Sequence, residues 1–120
     1  MATQGIVSIL DVDGKKVLFK IIAGSDGYNA AKLVEWVKAQ AGTFVFTIEN
    51  VYEAAKRVGF GSTENLVAQD SAGSLCFDGD GGPEELEGLY RDYEKFCDPR
   101  FNPRWEQGVA DYVEVVILTP

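Results

Sequence analysis

A hairpin pattern near the start of the chain places the strongest limit on its fold. Two runs rich in valine and isoleucine, residues 4–10 and 16–23, flank the turn-forming pair Asp13-Gly14. A DG pair between apolar runs is the strongest short-range signal for a β-hairpin. Because both runs are almost continuously apolar at their centres, we expect this hairpin inside a sheet rather than at its edge.

Three later segments have the residue spacing of amphipathic helices. The first covers about residues 29–41, the second runs from an N-cap at Thr47 to a stop at Gly59, and the third runs from Pro83 to about Cys97. Proline suits the first helical position, whereas glycine at the end of a helix adopts the left-handed backbone that stops it. We therefore predict three helices that each bury one face.

Strand patterns occupy most of the remaining chain. Residues 43–46 predict a short strand, and 65–69 with 74–78 predict a second hairpin. Residues 109–118 form the longest run and are apolar on both faces apart from Asp111 and Glu114, which predicts a central strand or one partly buried by another subunit. The order ββ-α-(β)-α-ββ-α-β predicts one α+β domain over residues 1–120. We expect a largely antiparallel sheet of about five strands, with the helices mostly on one face.

The composition excludes several classes of function. The 120-residue chain has no histidine, which removes Ser-His-Asp and Cys-His nucleophiles and most zinc and iron sites. Two cysteines are too few for a disulfide framework, and the loop at 78–82 lacks the spacing of a calcium-binding loop. No apolar run approaches the ~20 residues of a membrane helix, and the first residues lack a signal-peptide pattern. We expect a cytoplasmic protein that is not an enzyme, contacts no membrane and needs no metal or cofactor.

The charge is uneven along the chain. The net charge is −8, yet residues 1–60 sum to +1 and residues 61–120 to −9. Such an acidic half disfavours direct binding to a nucleic-acid backbone, because phosphate neutralisation needs lysine and arginine. The acids are scattered along this half rather than grouped. The simplest interpretation is a charged surface that keeps the protein in solution by repulsion between molecules. The alternative is an acidic face for a basic partner.

The segment at 90–105, YRDYEKFCDPRFNPRW, departs most from the rest of the chain. It holds three of the four arginines, interleaved with five aromatic residues. Arginine offers a planar fork for phosphate or carboxylate, and an aromatic ring offers a face for a flat ligand. The predicted ligand-binding residues are Arg91, Arg100, Phe101, Arg104 and Trp105. Two other interpretations stay open. One is a protein-binding hot spot, and the other is ordinary packing in which Tyr90, Tyr93 and Phe96 are core and the arginines pair with Asp92, Asp98 and Glu106.

A second candidate is the loop before the first predicted helix, residues 24–29. Exposed amides at a helix start favour an anion, which makes Ser25, Gly27 and Asn29 candidate anion-binding residues. The loop matches neither a Walker motif nor a dinucleotide fingerprint, so a plain capping loop is the alternative.

The sequence hypotheses for function follow from these features. The first is a non-catalytic binding protein and homo-oligomer that binds a partner protein, or senses or sequesters a small anionic, ring-bearing, nucleotide-like ligand through residues 90–105. The second is an acidic inhibitor that occupies a basic nucleic-acid-binding surface of another protein.

Overall fold

The computed structural model of the chain describes residues 3–40, 42, 45–61, 66–77, 82–89, 93–98, 100, 101, 108 and 110–118. The elements in chain order are β1 (Gly5–Leu10), β2 (Val17–Ala23), a 3-10 turn (Gly27–Asn29), α1 (Ala30–Ala39), α2 (Ile48–Val58), β3 (Leu66–Asp70), β4 (Leu75–Phe77), α3 (Gly82–Leu89), α4 (Tyr93–Cys97) and β5 (Tyr112–Ile117). The predicted α+β fold with a mostly antiparallel five-stranded sheet is confirmed.

The limits of two elements differ from the sequence prediction. Residues 45 and 46 of the short strand expected at 43–46 lie in a loop, and residues 43 and 44 fall outside the described part of the chain. A single helix was expected from Pro83 to about Cys97. The structure describes two helices in this segment, α3 in its first part and α4 in its last part.

The strands lie in the order β4-β3-β2-β1-β5. Neighbouring strands are antiparallel except for β1 and β5, which are parallel. The β1–β2 hairpin lies inside the sheet, as its apolar runs predict. The last strand, β5, lies at an edge instead of the centre. Val116 of this strand packs into the larger core, while Val113 and Val115, on its other face, are half-buried.

The larger core lies between one face of the sheet and the two longer helices. Val7 and Ile9 of β1 and Ile21 of β2 share a buried cluster with Leu33 of α1 and Val51 of α2. Side chains in a strand alternate between the two faces, so Val7 and Ile9 point to the same side. Ile21 points to that side as well, because it pairs with Val7.

A smaller core lies on the opposite face, beneath the shorter helices. The strand register places Ile6, Ile22 and Val67 in one row across β1, β2 and β3. They share a buried cluster with Leu86 of α3 and Phe96 of α4. Helices expected mostly on one face therefore divide between two, the longer pair on one side and the shorter pair on the other.

A β-bulge changes which residues of β2 share this second face. Ile9 pairs with Phe19 but Leu10 pairs with Val17, which leaves Leu18 as the extra residue. Lys20 pairs with Ser8, two residues before Leu10. Val17 and Lys20 consequently lie on the same face although three positions separate them.

No helix among the described residues is both long enough and apolar enough to cross a membrane.

Candidate anion-binding site

A small basic recess lies at one end of the sheet, where two turns and the segment after α4 meet. Its volume is about 170 Å³, and its lining is Lys15, Lys16, Val17, Ser71 and Arg100. Lys15 and Lys16 come from the β1–β2 turn, and Ser71 comes from the β3–β4 turn. Three cationic side chains from two distant parts of the chain therefore surround one recess.

The β1–β2 turn holds the two lysines by hydrogen bonds to Asp11. The Asp11 carboxylate oxygen Oδ1 accepts from the backbone amides of Lys15 at 3.0 Å and Lys16 at 3.3 Å. The Lys15 amide contributes most to lowering the pKa of the Asp11 carboxyl. Asp11 is therefore a carboxylate at neutral pH, and it binds the backbone that carries the lysine side chains.

Arg100 reaches the recess from a turn that Asp98 organises. Asp98 Oδ1 accepts from the Arg100 backbone amide at 2.9 Å and from its Nε at 3.2 Å, while Oδ2 accepts from Nη2 at 3.0 Å. These bonds lower the pKa of the Asp98 carboxyl and raise that of Arg100. The Arg100 side chain is nevertheless 89% exposed, so the ion pair itself adds little stability. This pairing is the one that the packing interpretation of residues 90–105 expects.

Phe101 is the one predicted ring that the structure describes, and it packs against its own protein. Its ring lies 5.7 Å from that of Phe96, centroid to centroid, and belongs to the edge of the smaller core. The Nζ atoms of Lys20 and Lys95 lie 4.9 and 5.1 Å from its centre. Phe101 thus anchors the turn that presents Arg100.

The other predicted members of this cluster, Arg91, Arg104 and Trp105, lie outside the described residues. The structure instead brings Arg100 together with Lys15 and Lys16, neither of which was predicted as a site residue. The adjacent lysine pair directly after the Asp13-Gly14 turn was the available signal. A turn reverses the chain and projects such side chains from the end of a sheet.

The second predicted site, the loop of Ser25, Gly27 and Asn29, lies at the opposite end of the β1–β2 hairpin. The Gly27 amide donates to the carbonyl of Thr3 at 2.9 Å. The Asn29 side chain donates from Nδ2 to the carbonyl of Gly59 at 2.8 Å. Both donors are therefore used within the fold. Through them the loop is hydrogen-bonded to the residues just before β1 and just after α2.

Two larger recesses adjoin each other near the start of α2. One, of about 640 Å³, has Phe19, Ile48 and Leu118 in its lining together with the acids Glu49 and Asp70. The other, of about 540 Å³, is lined by Trp36, Arg57, Glu49 and Glu53 among others. Carboxylates in both linings disfavour an anion. Among the described residues that line these three recesses, only those of the smallest combine several cations with no acid.

Comparison of the chain with protein-family models, curated proteins and solved structures finds no match. Within the described ranges, no group of three or more cysteine, aspartate or glutamate side chains is placed to hold a metal ion.

Proposed function

We propose that this chain is a non-catalytic binding protein that senses or sequesters a small anionic ligand in the recess of Lys15, Lys16, Ser71 and Arg100. The observation that carries the proposal is the meeting of three cations around one recess in a protein whose net charge is −8. Like charges brought together on an otherwise acidic protein favour a bound anion, because the anion relieves their mutual repulsion.

The donors around the recess suit phosphate or carboxylate. The Arg100 guanidinium has five N–H donors, and only two of the bonds to Asp98 involve its side chain. Lys15 and Lys16 are exposed and can turn toward a ligand, and the Ser71 hydroxyl can donate as well. The part of the proposal that concerns a ring-bearing, nucleotide-like ligand rests on Arg104 and Trp105, which the structure does not describe.

Calorimetric titration with inorganic phosphate at low ionic strength tests the proposal. We expect Arg100→Ala, and separately the double change Lys15→Ala with Lys16→Ala, to weaken binding by more than about 1 kcal/mol, because each removes a charge-assisted hydrogen bond. The melting temperature should change little, since all three side chains are exposed. The matched control is Arg57→Ala, an exposed arginine on α2. Alanine variants that melt early and bind phosphate normally would show that the cluster is packing.

The same titration separates this function from the acidic inhibitor of the second hypothesis. That class predicts no response to phosphate and salt-sensitive binding to a basic polypeptide such as polylysine, because residues 61–120 sum to −9. A phosphate response lost in Arg100→Ala supports the small-ligand function.

We further propose that the protein acts as a homo-oligomer in the cytoplasm. The support for assembly is β5, an edge strand in which Tyr112 and Ile117 are exposed and Val113 and Val115 are half-buried. Apolar edge strands commonly pair with another chain. The cytoplasmic location is supported by the composition alone.

A further inference from the structure

Three polar residues lie side by side across the centre of the sheet on its otherwise apolar second face. The strand registers pair Lys20 of β2 with Ser8 of β1 on one side and with Gln69 of β3 on the other. Lys20 and Ser8 are fully buried. The next row along this face consists of Ile6, Ile22 and Val67, so the polar row interrupts an apolar surface.

The turn after α4 covers this row. Lys20 Nζ donates a hydrogen bond to the backbone carbonyl of Asp98 and lies over the ring of Phe101. On either side of the lysine, Ser8 Oγ and Gln69 Oε1 are buried without a hydrogen-bond partner among the described residues. Buried polar groups are nearly always hydrogen-bonded, and replacing a buried charged group by a well-packed apolar one is often neutral or stabilising. Two unpaired polar atoms beside a buried lysine therefore point to a use other than stability.

The row adjoins the basic recess. Val17, which lines that recess, and Lys20 lie on the same face of β2 because of the bulge at Leu18. The turn whose Asp98 carbonyl bonds Lys20 also carries Arg100 into the recess.

We infer that Lys20 and Ser8 form a concealed second subsite of the same anion-binding site, and that the ligand class is a molecule with two adjacent anionic groups, such as a diphosphate. This inference rests on the proposed function. One anionic group binds Lys15, Lys16 and Arg100, and the second replaces the Asp98 carbonyl at Lys20 and accepts from the Ser8 hydroxyl. The Asp98 carbonyl keeps a partner when the turn shifts, because the Phe101 amide also donates to it at 3.0 Å.

Titration of the full chain with inorganic pyrophosphate and with inorganic phosphate tests the inference. Lys20→Met should lower pyrophosphate affinity at least about tenfold and change phosphate affinity less than about twofold, because only the second anionic group loses a charged partner. The matched control is Lys95→Met. It removes the same charge from the same Phe101 ring, but at an exposed position, and it should change neither affinity by more than about twofold.

The melting temperature of Lys20→Met is measured together with its pyrophosphate affinity. A lower melting temperature with unchanged pyrophosphate affinity would assign Lys20 a structural role and overturn the inference. If Lys20→Met fails to fold, Ser8→Ala decides instead: it should weaken pyrophosphate binding several-fold without lowering the melting temperature, and unchanged affinity would overturn the inference.

The failures of the two proposals are distinguishable. If Arg100→Ala weakens phosphate binding while Lys20→Met and Ser8→Ala leave pyrophosphate binding unchanged, only the second subsite is lost. If the wild-type protein binds neither anion, the proposed function fails, and the concealed subsite fails with it.

Discussion

At the scale of single residues, Gly27 shows how tightly the first loop is packed. A Cβ atom at this position would lie 2.5 Å from the Gln4 carbonyl carbon and 2.5 Å from the Gly5 amide nitrogen. Backbone atoms cannot move aside as the end of a flexible side chain can. Glycine is therefore required by the close approach of the loop to the start of β1.

We expect Gly27→Ala to lower the free energy of unfolding by about 2–3 kcal/mol, because the added methyl overlaps backbone. The matched control is Gly88→Ala in α3, where nothing lies within 4 Å of the new Cβ. Alanine there should be neutral or stabilise by up to about 1 kcal/mol, through helix propensity. Urea denaturation of both variants measures the difference, and equal stabilities would contradict this account of the loop.

At the scale of elements, α2 shows how local signals at both ends define a helix. At its start, the Thr47 side chain accepts from the Asn50 amide at 3.2 Å, and Asn50 Oδ1 accepts from the Thr47 amide at 3.0 Å. At its end, Gly59 adopts a φ of 83°, the left-handed backbone predicted for a glycine stop. Both boundaries were predicted because the groups that satisfy helix ends are close in sequence.

We expect Thr47→Ala to reduce the free energy of unfolding by about 1 kcal/mol, because the Asn50 amide loses its acceptor. Thr47→Ser keeps a hydroxyl at the cap and should stay within about 0.5 kcal/mol of wild type. Denaturant midpoints measure both. A serine variant as unstable as the alanine variant would show that threonine packing, rather than the cap, stabilises this helix end.

At the scale of the whole molecule, β5 forms one edge of the described sheet. Helices lie on both faces of the sheet, and Val116 of β5 packs into the larger core, but no β5 residue is among the described members of the smaller core. On the outer edge, no other described strand pairs with β5. Such an edge is where a second copy of the chain would add to the sheet.

We expect sedimentation to show at least a dimer of the 13.1 kDa chain at micromolar concentration. Val115→Lys should shift the protein toward the monomer, because a charge on the edge strand opposes pairing. The matched control, Val45→Lys, changes a loop valine that is 82% exposed and should leave the assembly unchanged. A wild-type monomer under these conditions would remove the homo-oligomer from the proposal. An unfolded Val115→Lys would show instead that this residue is core.

The sequence by itself determined the parts of this protein that depend on neighbours in the chain. The β1–β2 hairpin follows from Asp13-Gly14 between apolar runs, and the limits of α2 follow from Thr47 and Gly59. The second hairpin was likewise predicted from two short runs that flank DSAG, residues 70–73. These features are predictable because turns and caps are completed by residues only a few positions apart.

Only the tertiary structure decided which distant residues meet. Arg100 was singled out from the sequence, but its neighbours Lys15 and Lys16 lie in a turn near the other end of the chain. Ser8, Lys20 and Gln69 form a row only because β2 pairs with β1 and β3 in one register, and a bulge at Leu18 sets which face Val17 shares with Lys20. Strand order and register depend on how the whole sheet buries its two faces, and no short segment of sequence contains that information.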